Sequence, residues 1–316
     1  GGGAETGAED ESTTRQPAEP VPRTTLSGAD VEVESFELRQ LSRSDWPQQV
    51  PAECRYSPDE TVSANNLAYR DDGSTVDPLA SARNVLGMLQ CYEQSEEDVY
   101  LQKATEMATA LYEAGESYDS GLFFPHDYAV RPHEGAGVDW TVGAPWYSAT
   151  TQGVALSAFA RLYTYSLNES VWMYAEEVLR SFNTVVTRAD GPRAENPWAA
   201  CVDDGYLWLE KYAQLPPSHV LSGMSLAAWG LYEQWMALQS SLARELFRAT
   251  ATTVKAYAEE FRNAGGPSYY CLAHEVPAPQ YHSAHIRQLR TFSDITGDEA
   301  FAATARQFEA DAGSAG

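Results

Sequence analysis

The sequence predicts an all-α protein, an α/α toroid of about four helical hairpins, on three observations. After Val76, apolar residues recur at steps of three and four, the spacing that gathers them on one helix face. The helical stretches come in pairs with short turns inside each pair. Long connections holding aromatics, prolines and half of the histidines separate the pairs. Inner helices lining a cavity, outer helices wrapping them and long loops gathered at one rim satisfy all three. A helical array that does not close is the alternative arrangement of the same units.

The elements follow in chain order. Residues 1–28 are rich in Gly, Glu, Thr and Pro without periodicity, so a disordered acidic tether is expected there. The start on Gly1-Gly2-Gly3 is that of a segment following a lipidated cysteine, or a scar of expression. Residues 29–75 are expected to be extended with little regular structure, with one short strand where 31–38 alternate apolar and polar. The toroid domain is expected over 76–316. Its helices are placed at 78–93, 96–115, 149–166, 169–187, 218–237, 240–263, 281–294 and 298–311. Ser95 with Asp98 has the capping-box pattern, and Asn168 is a natural N-cap. Val171, Tyr174, Val178, Phe182 and Val185 form one core stripe; Leu242, Leu246, Phe247, Val254, Tyr257 and Phe261 form another. The segments 116–147, 188–217 and 264–280 are expected to be loops.

Charge narrows the function classes. The chain carries 45 acidic and 21 basic residues, a formal net charge of −24, and its lysines are Lys103, Lys211 and Lys255. Acid excess with scarce Lys and abundant Ala and Thr suggests adaptation to high salt, where screening tolerates self-repulsion. Such a surface repels nucleic acid and anionic lipid, so neither is an expected partner. An anionic polysaccharide is repelled too at low salt. At about 1 M salt the Debye length falls to about 3 Å, and local Arg and Lys side chains can still capture one.

Cys54, Cys91, Cys201 and Cys271 are too far apart for a zinc ribbon. In an extracellular or cell-surface setting they can form two disulfides; free buried thiols are the other reading. No apolar run is long enough for a transmembrane helix. GxGxxG, Walker A and Gly-x-Ser-x-Gly motifs are absent, which leaves nucleotide binding and serine hydrolysis without support.

Four segments stand out, in this order: Pro145 to Gly153, reading PWYSATTQG; Glu210-Lys211-Tyr212 running on to Leu221-Ser222-Gly223; Tyr269-Tyr270-Cys271-Leu272-Ala273-His274; and Tyr281 to Leu289, reading YHSAHIRQL. Together they resemble the C-terminal domain of D-glucuronyl C5-epimerases, over roughly 76–312. The β-rich N-terminal part usual in the animal enzymes is mostly absent. The resemblance implies cofactor-independent epimerisation of glucuronate to iduronate inside a polysaccharide. Tyr212, Tyr270 and Tyr281 are then catalytic or line the substrate cleft. Trp146, Tyr147, Gln152, Glu210, His274, His282, His285 and Arg287 are the expected substrate-binding residues.

The chemistry explains the residue types. C5 inversion removes a weakly acidic proton α to a carboxylate, so it needs a base, an acid on the opposite face and stabilisation of enolate-like charge. Tyrosine serves in either role where a nearby cation lowers its pKa. This chain departs from the family at four positions. Cys271 and Ala273 replace the Asp and Arg of the family's Tyr-Asp-Leu-Arg-His motif. Lys211 replaces the second Glu of its Glu-Glu-Tyr motif, and Arg287 stands where an uncharged residue is usual. One reading has Lys211 and Arg287 neutralising the carboxylate, with Lys211 also acting as base if desolvated. The rivals are a uronan lyase, which shares the first proton abstraction, and a glycan-binding envelope protein that has lost catalysis. His282 and His285, three apart, lie near one helical face and with His274 suggest a metal site, but no acid completes a metal pattern, and the family motif accounts for the pair. Neither metal nor cofactor is expected.

Overall fold

The computed structural model describes residues 19–191 and 193–313. Its framework is eight long helices: α2 (Pro78–Ser95), α3 (Asp98–Glu113), α4 (Ala149–Ser166), α5 (Glu169–Phe182), α6 (Leu221–Leu238), α7 (Ser241–Tyr257), α8 (Pro279–Thr296) and α9 (Glu299–Gly313), preceded by a short α1 (Pro58–Ser63). They pair as α2/α3, α4/α5, α6/α7 and α8/α9, and each even-numbered helix packs on the next even-numbered one. This is the α/α-toroid arrangement the hydrophobic pattern predicts.

The four hairpin turns share one geometry. Each has two residues between the helices: Glu96-Glu97, Leu167-Asn168, Gln239-Ser240 and Gly297-Asp298. The first residue of each is left-handed, with φ of 57°, 49°, 57° and 71°. Only one of the four is glycine, so the others accept the steric cost that a Cβ brings in this region. The second residue opens the outer helix; Asn168 accepts from Ser170 N–H at 2.9 Å and Ser240 from Ala243 N–H at 3.3 Å. The Ser95–Asp98 capping box does not form. The N-cap of α3 is Glu97, and the Ser95 hydroxyl accepts from Glu97 N–H instead.

α4 and α6 approach so closely that only glycine fits between them. A Cβ on Gly230 would lie 2.1 Å from Gly153 O, and one on Gly153 would lie 2.4 Å from Ala227 Cα. The Gly closing the PWYSATTQG segment is therefore a packing residue.

The long connections contain strands as well as loops. β2 (Glu116–Tyr118) and β3 (Gly121–Phe123) form a hairpin about Asp119-Ser120, and β5 (Ala200–Asp203) and β6 (Tyr206–Leu209) form another about Asp204-Gly205. Both turns have positive φ at their two central residues, the primed turn that suits strand twist. β4 (Val185–Val186) runs parallel to β5, and β1 (Arg23–Thr24) pairs antiparallel with β4. The expected helix over 169–187 thus stops at Phe182, and its last apolar residues enter a sheet.

The N-terminal expectations need two corrections. Residues 19–28 are packed rather than free: β1 joins the sheet, and Leu26 N–H donates to Asn183 Oδ1 at 2.8 Å. Residues 1–18, on which the rest of the tether and the lipid anchor were expected, lie outside the described residues. The 31–38 segment is extended but makes no ladder. It begins a strap that crosses the C-terminal ends of the inner helices. Arg39 N–H donates to Ile295 O, Leu41 N–H to Tyr232 Oη and Gln48 N–H to Glu233 Oε1. There a buried ion pair, Arg161 with Glu233 at 2.6 Å, also receives Gln48, whose carbonyl accepts from Arg161 at 3.1 Å. Cys54 closes the strap on α2 through a disulfide to Cys91, while Cys201 and Cys271 are free and buried. The cysteines thus take neither all-paired nor all-free form. Among the described residues no helix is long and apolar enough to cross a membrane.

Candidate active site

Because the strap covers one end of the inner helices, the site forms at the other, where the long connections meet. β6 delivers Glu210-Lys211-Tyr212, the segment before α8 delivers Tyr270, and the first turn of α8 delivers Tyr281. The Tyr212 and Tyr270 hydroxyls share a hydrogen bond of 2.9 Å, and the Tyr270 and Tyr281 ring centroids are 5.2 Å apart. Lys211 Nζ lies 5.7, 5.2 and 5.5 Å from the centroids of Tyr212, Tyr270 and Tyr281. One ammonium thus faces three tyrosyl rings, within cation–π range of each. The four residues line a cavity of about 520 Å³ whose other walls are the 132–136 loop and residues 276–280.

The reason for Gly223 in the Leu-Ser-Gly segment is now visible. A Cβ there would sit 2.7 Å from Lys211 Cβ and 2.6 Å from Thr150 Oγ1. Glycine lets the Lys211 side chain cross α6. Around it, Thr150 Oγ1, Ser222 Oγ, Gln288 Oε1 and His285 Nε2 are buried polar atoms with no hydrogen-bond partner in the protein. Such atoms are costly unless something polar meets them.

Electrostatics separates the lysine from the tyrosines. Burial, helped by the charge of Arg83, lowers the Lys211 pKa to about 8. Burial pushes Tyr212 and Tyr270 well above the ordinary tyrosine value. The expectation of a tyrosine made acidic by its cation is therefore corrected for these two: burial is the largest influence on each and raises its pKa.

Several expected binding residues do other work. Gln152 is fully buried; its Oε1 accepts from Phe124 N–H at 3.0 Å, and its Nε2 donates to Leu122 O at 2.7 Å and Ser181 Oγ at 2.9 Å. It clasps β3 to the α4/α5 hairpin and does not face the cavity. Tyr147 donates to Glu116 at 2.8 Å and stands edge-on to Phe123, inside the core. Trp146 packs behind Tyr212 at 5.3 Å, stacked on His126 at 3.8 Å. Glu210 is fully buried and accepts from Ser218 N–H, His219 N–H and His219 Nδ1. It fixes the loop before α6 instead of reaching a sugar. His282 accepts from Ser268 N–H through Nδ1, which leaves Nε2–H to donate to Phe308 O at 2.8 Å. His285 Nδ1 meets Ser268 Oγ at 2.7 Å, so the two histidines together grip the segment that carries Tyr270. Burial, then the charges of His282 and Lys211, lower the His285 pKa to about 3. Arg287 is exposed on α8 and does not line the cavity. His274 packs on Trp140 at 4.6 Å, beside the tyrosines.

A family model described as D-glucuronyl C5-epimerase C-terminus matches residues 122–310, well over half of the chain. The chain belongs to this family. Solved structures of similar fold also match this glucuronyl C5-epimerase C-terminal domain. A sugar epimerase from a ruminal bacterium matches with a TM-score of 0.52 at 14% identity, covering 80% of this chain and 66% of that one. Cellobiose 2-epimerase from Spirochaeta thermophila DSM 6192 matches with a TM-score of 0.50 at 14% identity, covering 74% of this chain and 57% of that one. At such identities the likeness is one of fold. This chain spans less than two thirds of either relative's length.

Two residues of this glucuronyl C5-epimerase domain escape motif reading. Arg83 projects from α2 into a second cavity of about 340 Å³ between the inner helices and the strap, and its charge reaches Lys211. Trp140 stands edge-on to Tyr212 at 5.3 Å. Neither lies in a recognisable motif. Arg83 had one weak signal, a charge on a helix whose neighbours Ala82, Val85 and Leu86 are core residues.

Proposed function

We propose that this protein is a carbohydrate epimerase that inverts C5 of a glucuronate residue within an anionic polysaccharide, without a cofactor. Family membership supports the epimerase class. The observation that carries the finer reading is the single desolvated ammonium of Lys211 among three tyrosines at the edge of an open cavity. With a pKa near 8, Lys211 has a neutral fraction at physiological pH and acts as the base, its Nζ taking the C5 proton. The electron pair left behind spreads onto the uronate carboxylate, and the ammonium formed on Lys211 offsets that charge. The Tyr281 hydroxyl returns a proton to C5 from the opposite face, and the tyrosinate is reset by the proton held on Lys211. The Tyr212–Tyr270 pair borders the sugar, and the unpartnered Thr150, Ser222 and Gln288 oxygens are suited to sugar hydroxyls. An extracellular or cell-surface location belongs to the same reading; the Cys54–Cys91 disulfide supports it.

Incubation with defined uronans in deuterated water tests the proposal. The expected result is deuterium at C5 and formation of iduronate with chain length unchanged. Shortened chains with unsaturated ends would make the protein a lyase. Binding with no exchange at high salt, over several uronans, would make it a glycan-binding protein.

A further inference from the structure

Outside the lysine–tyrosine cluster, His133, Cys271 and His274 converge on one point. His133 Nε2 and His274 Nδ1 each lie 3.3 Å from Cys271 Sγ, and the three donor atoms lie within 4.8 Å of one another. His133 and Cys271 are buried, at 4% and 0% exposure, and His274 is partly buried. Cys271 and His274 come from one tight turn, in which Glu275 N–H returns to Cys271 O at 3.1 Å. His133 arrives from the far side of the chain on the 130–142 loop, whose ends pair as Val130 with Val142. Trp140 and Tyr270 wall the group, at 5.4 Å each from the His133 ring.

A thiol is a weak hydrogen-bond partner, so two imidazoles, one buried and one partly buried, aimed at one sulfur make a poor hydrogen-bonding arrangement. They make a good ligand set. At metal–nitrogen distances of about 2.0–2.1 Å and metal–sulfur distances of about 2.3 Å, the edges of a tetrahedral site are about 3.4–3.6 Å. Two edges here are already near that length. Nitrogen and sulfur donors with no carboxylate favour zinc-class ions over magnesium or calcium.

We propose that His133, Cys271 and His274 bind one zinc-class divalent cation, which fastens the 130–142 loop to the turn carrying Tyr270. The cation displaces the thiol proton to solvent, and each coordinating imidazole keeps its own proton on its other nitrogen. Three protein donors leave the fourth tetrahedral position to water. The ion's role is positional, since it holds residue 270 through its chain neighbour 271.

The test is cobalt titration of the full chain after chelator treatment. One equivalent of Co²⁺ is expected to give the near-ultraviolet thiolate-to-cobalt band and tetrahedral visible bands, and Zn²⁺ should displace both. Cys271→Ser should abolish the thiolate band. Cys201→Ser, at the other free cysteine, should leave it unchanged. His274→Gln should weaken binding by more than about tenfold, since even partners outside the ligand shell are worth about 10–100-fold. That variant keeps the thiol and serves if Cys271→Ser does not fold. No band in the unmutated protein, or a band that survives both Cys271→Ser and His274→Gln, would overturn the assignment.

Discussion

At the scale of single residues, Lys211 is where burial and chemistry meet. Its folded pKa, about 8, lies below the ordinary lysine value of 10.5. Between these values the unfolded chain holds a proton that the fold does not, so Lys211 makes stability rise with pH over that window. If Lys211 is the base, C5 exchange should also rise as pH passes through about 8, with Lys211→Met removing the limb. Each of Lys211→Met and Tyr281→Phe should cut exchange by about 10²–10⁴-fold, the range for general acid–base groups. Tyr281→Phe keeps its ring, so glycan binding measured by calorimetry should hold; undiminished exchange would make Tyr281 structural. His219 behaves oppositely. Burial opposes its charge, but Glu210 and Asp203, each 2.6 Å from a ring nitrogen, outweigh that and raise its pKa to about 9. Its stabilisation is fully present below the ordinary value of 6.5 and is lost as pH rises through about 9. Thermal melts of His219→Gln against the parent should therefore differ most in mild acid and converge in alkali.

At the scale of elements, turns and close helix contacts give sharp expectations. Leu167 is 70% exposed and holds φ at 49° in the α4/α5 turn. A non-glycine residue there costs about 1–2 kcal/mol, and glycine's extra entropy returns about 0.5–1 kcal/mol of it. Leu167→Gly should thus stabilise by up to about 1 kcal/mol in denaturant titration. Gly230→Ala should do the reverse, because its Cβ would meet the α4 backbone at 2.1 Å. Overpacking of this kind costs about 1–3 kcal/mol, occasionally more. An unchanged melting temperature for Gly230→Ala would mean that α4 and α6 leave room for a methyl group at this crossing.

At the scale of the whole molecule, charge is the governing term. With a net charge of −24, self-repulsion should destabilise the fold at low ionic strength. The melting temperature should rise from dilute buffer to about 1 M potassium chloride, where the Debye length is about 3 Å. Sucrose of equal osmotic strength controls for effects other than screening. A melting temperature that falls or stays flat with salt would remove the basis for reading the acidic surface as salt adaptation. The same screening should be needed for the proposed capture of an anionic polysaccharide by Lys211.

The sequence by itself determined the helical hairpins, because amphipathic periodicity is local and each turn of helix restates it. Boundaries such as 149–166 and the Asn168 cap follow from that pattern. It also placed Lys211, Tyr212, Tyr270 and Tyr281 as one group, through ordered motifs that composition alone would not have singled out. Part of what was missed was legible: Asp204-Gly205 between apolar residues is a hairpin signal. Only the tertiary structure decided which motif residues face the cavity. Glu210, Gln152, His282 and His285 have the residue types of a sugar site, yet their partners lie 8 to 30 residues away and turn each of them into a clasp. Arg83 and the His133–Cys271–His274 group likewise exist only through contacts distant in the chain. Periodicity reports which side of an element is buried. It carries no record of what that side is buried against, and the neighbour decides whether a polar group binds a ligand or holds the fold.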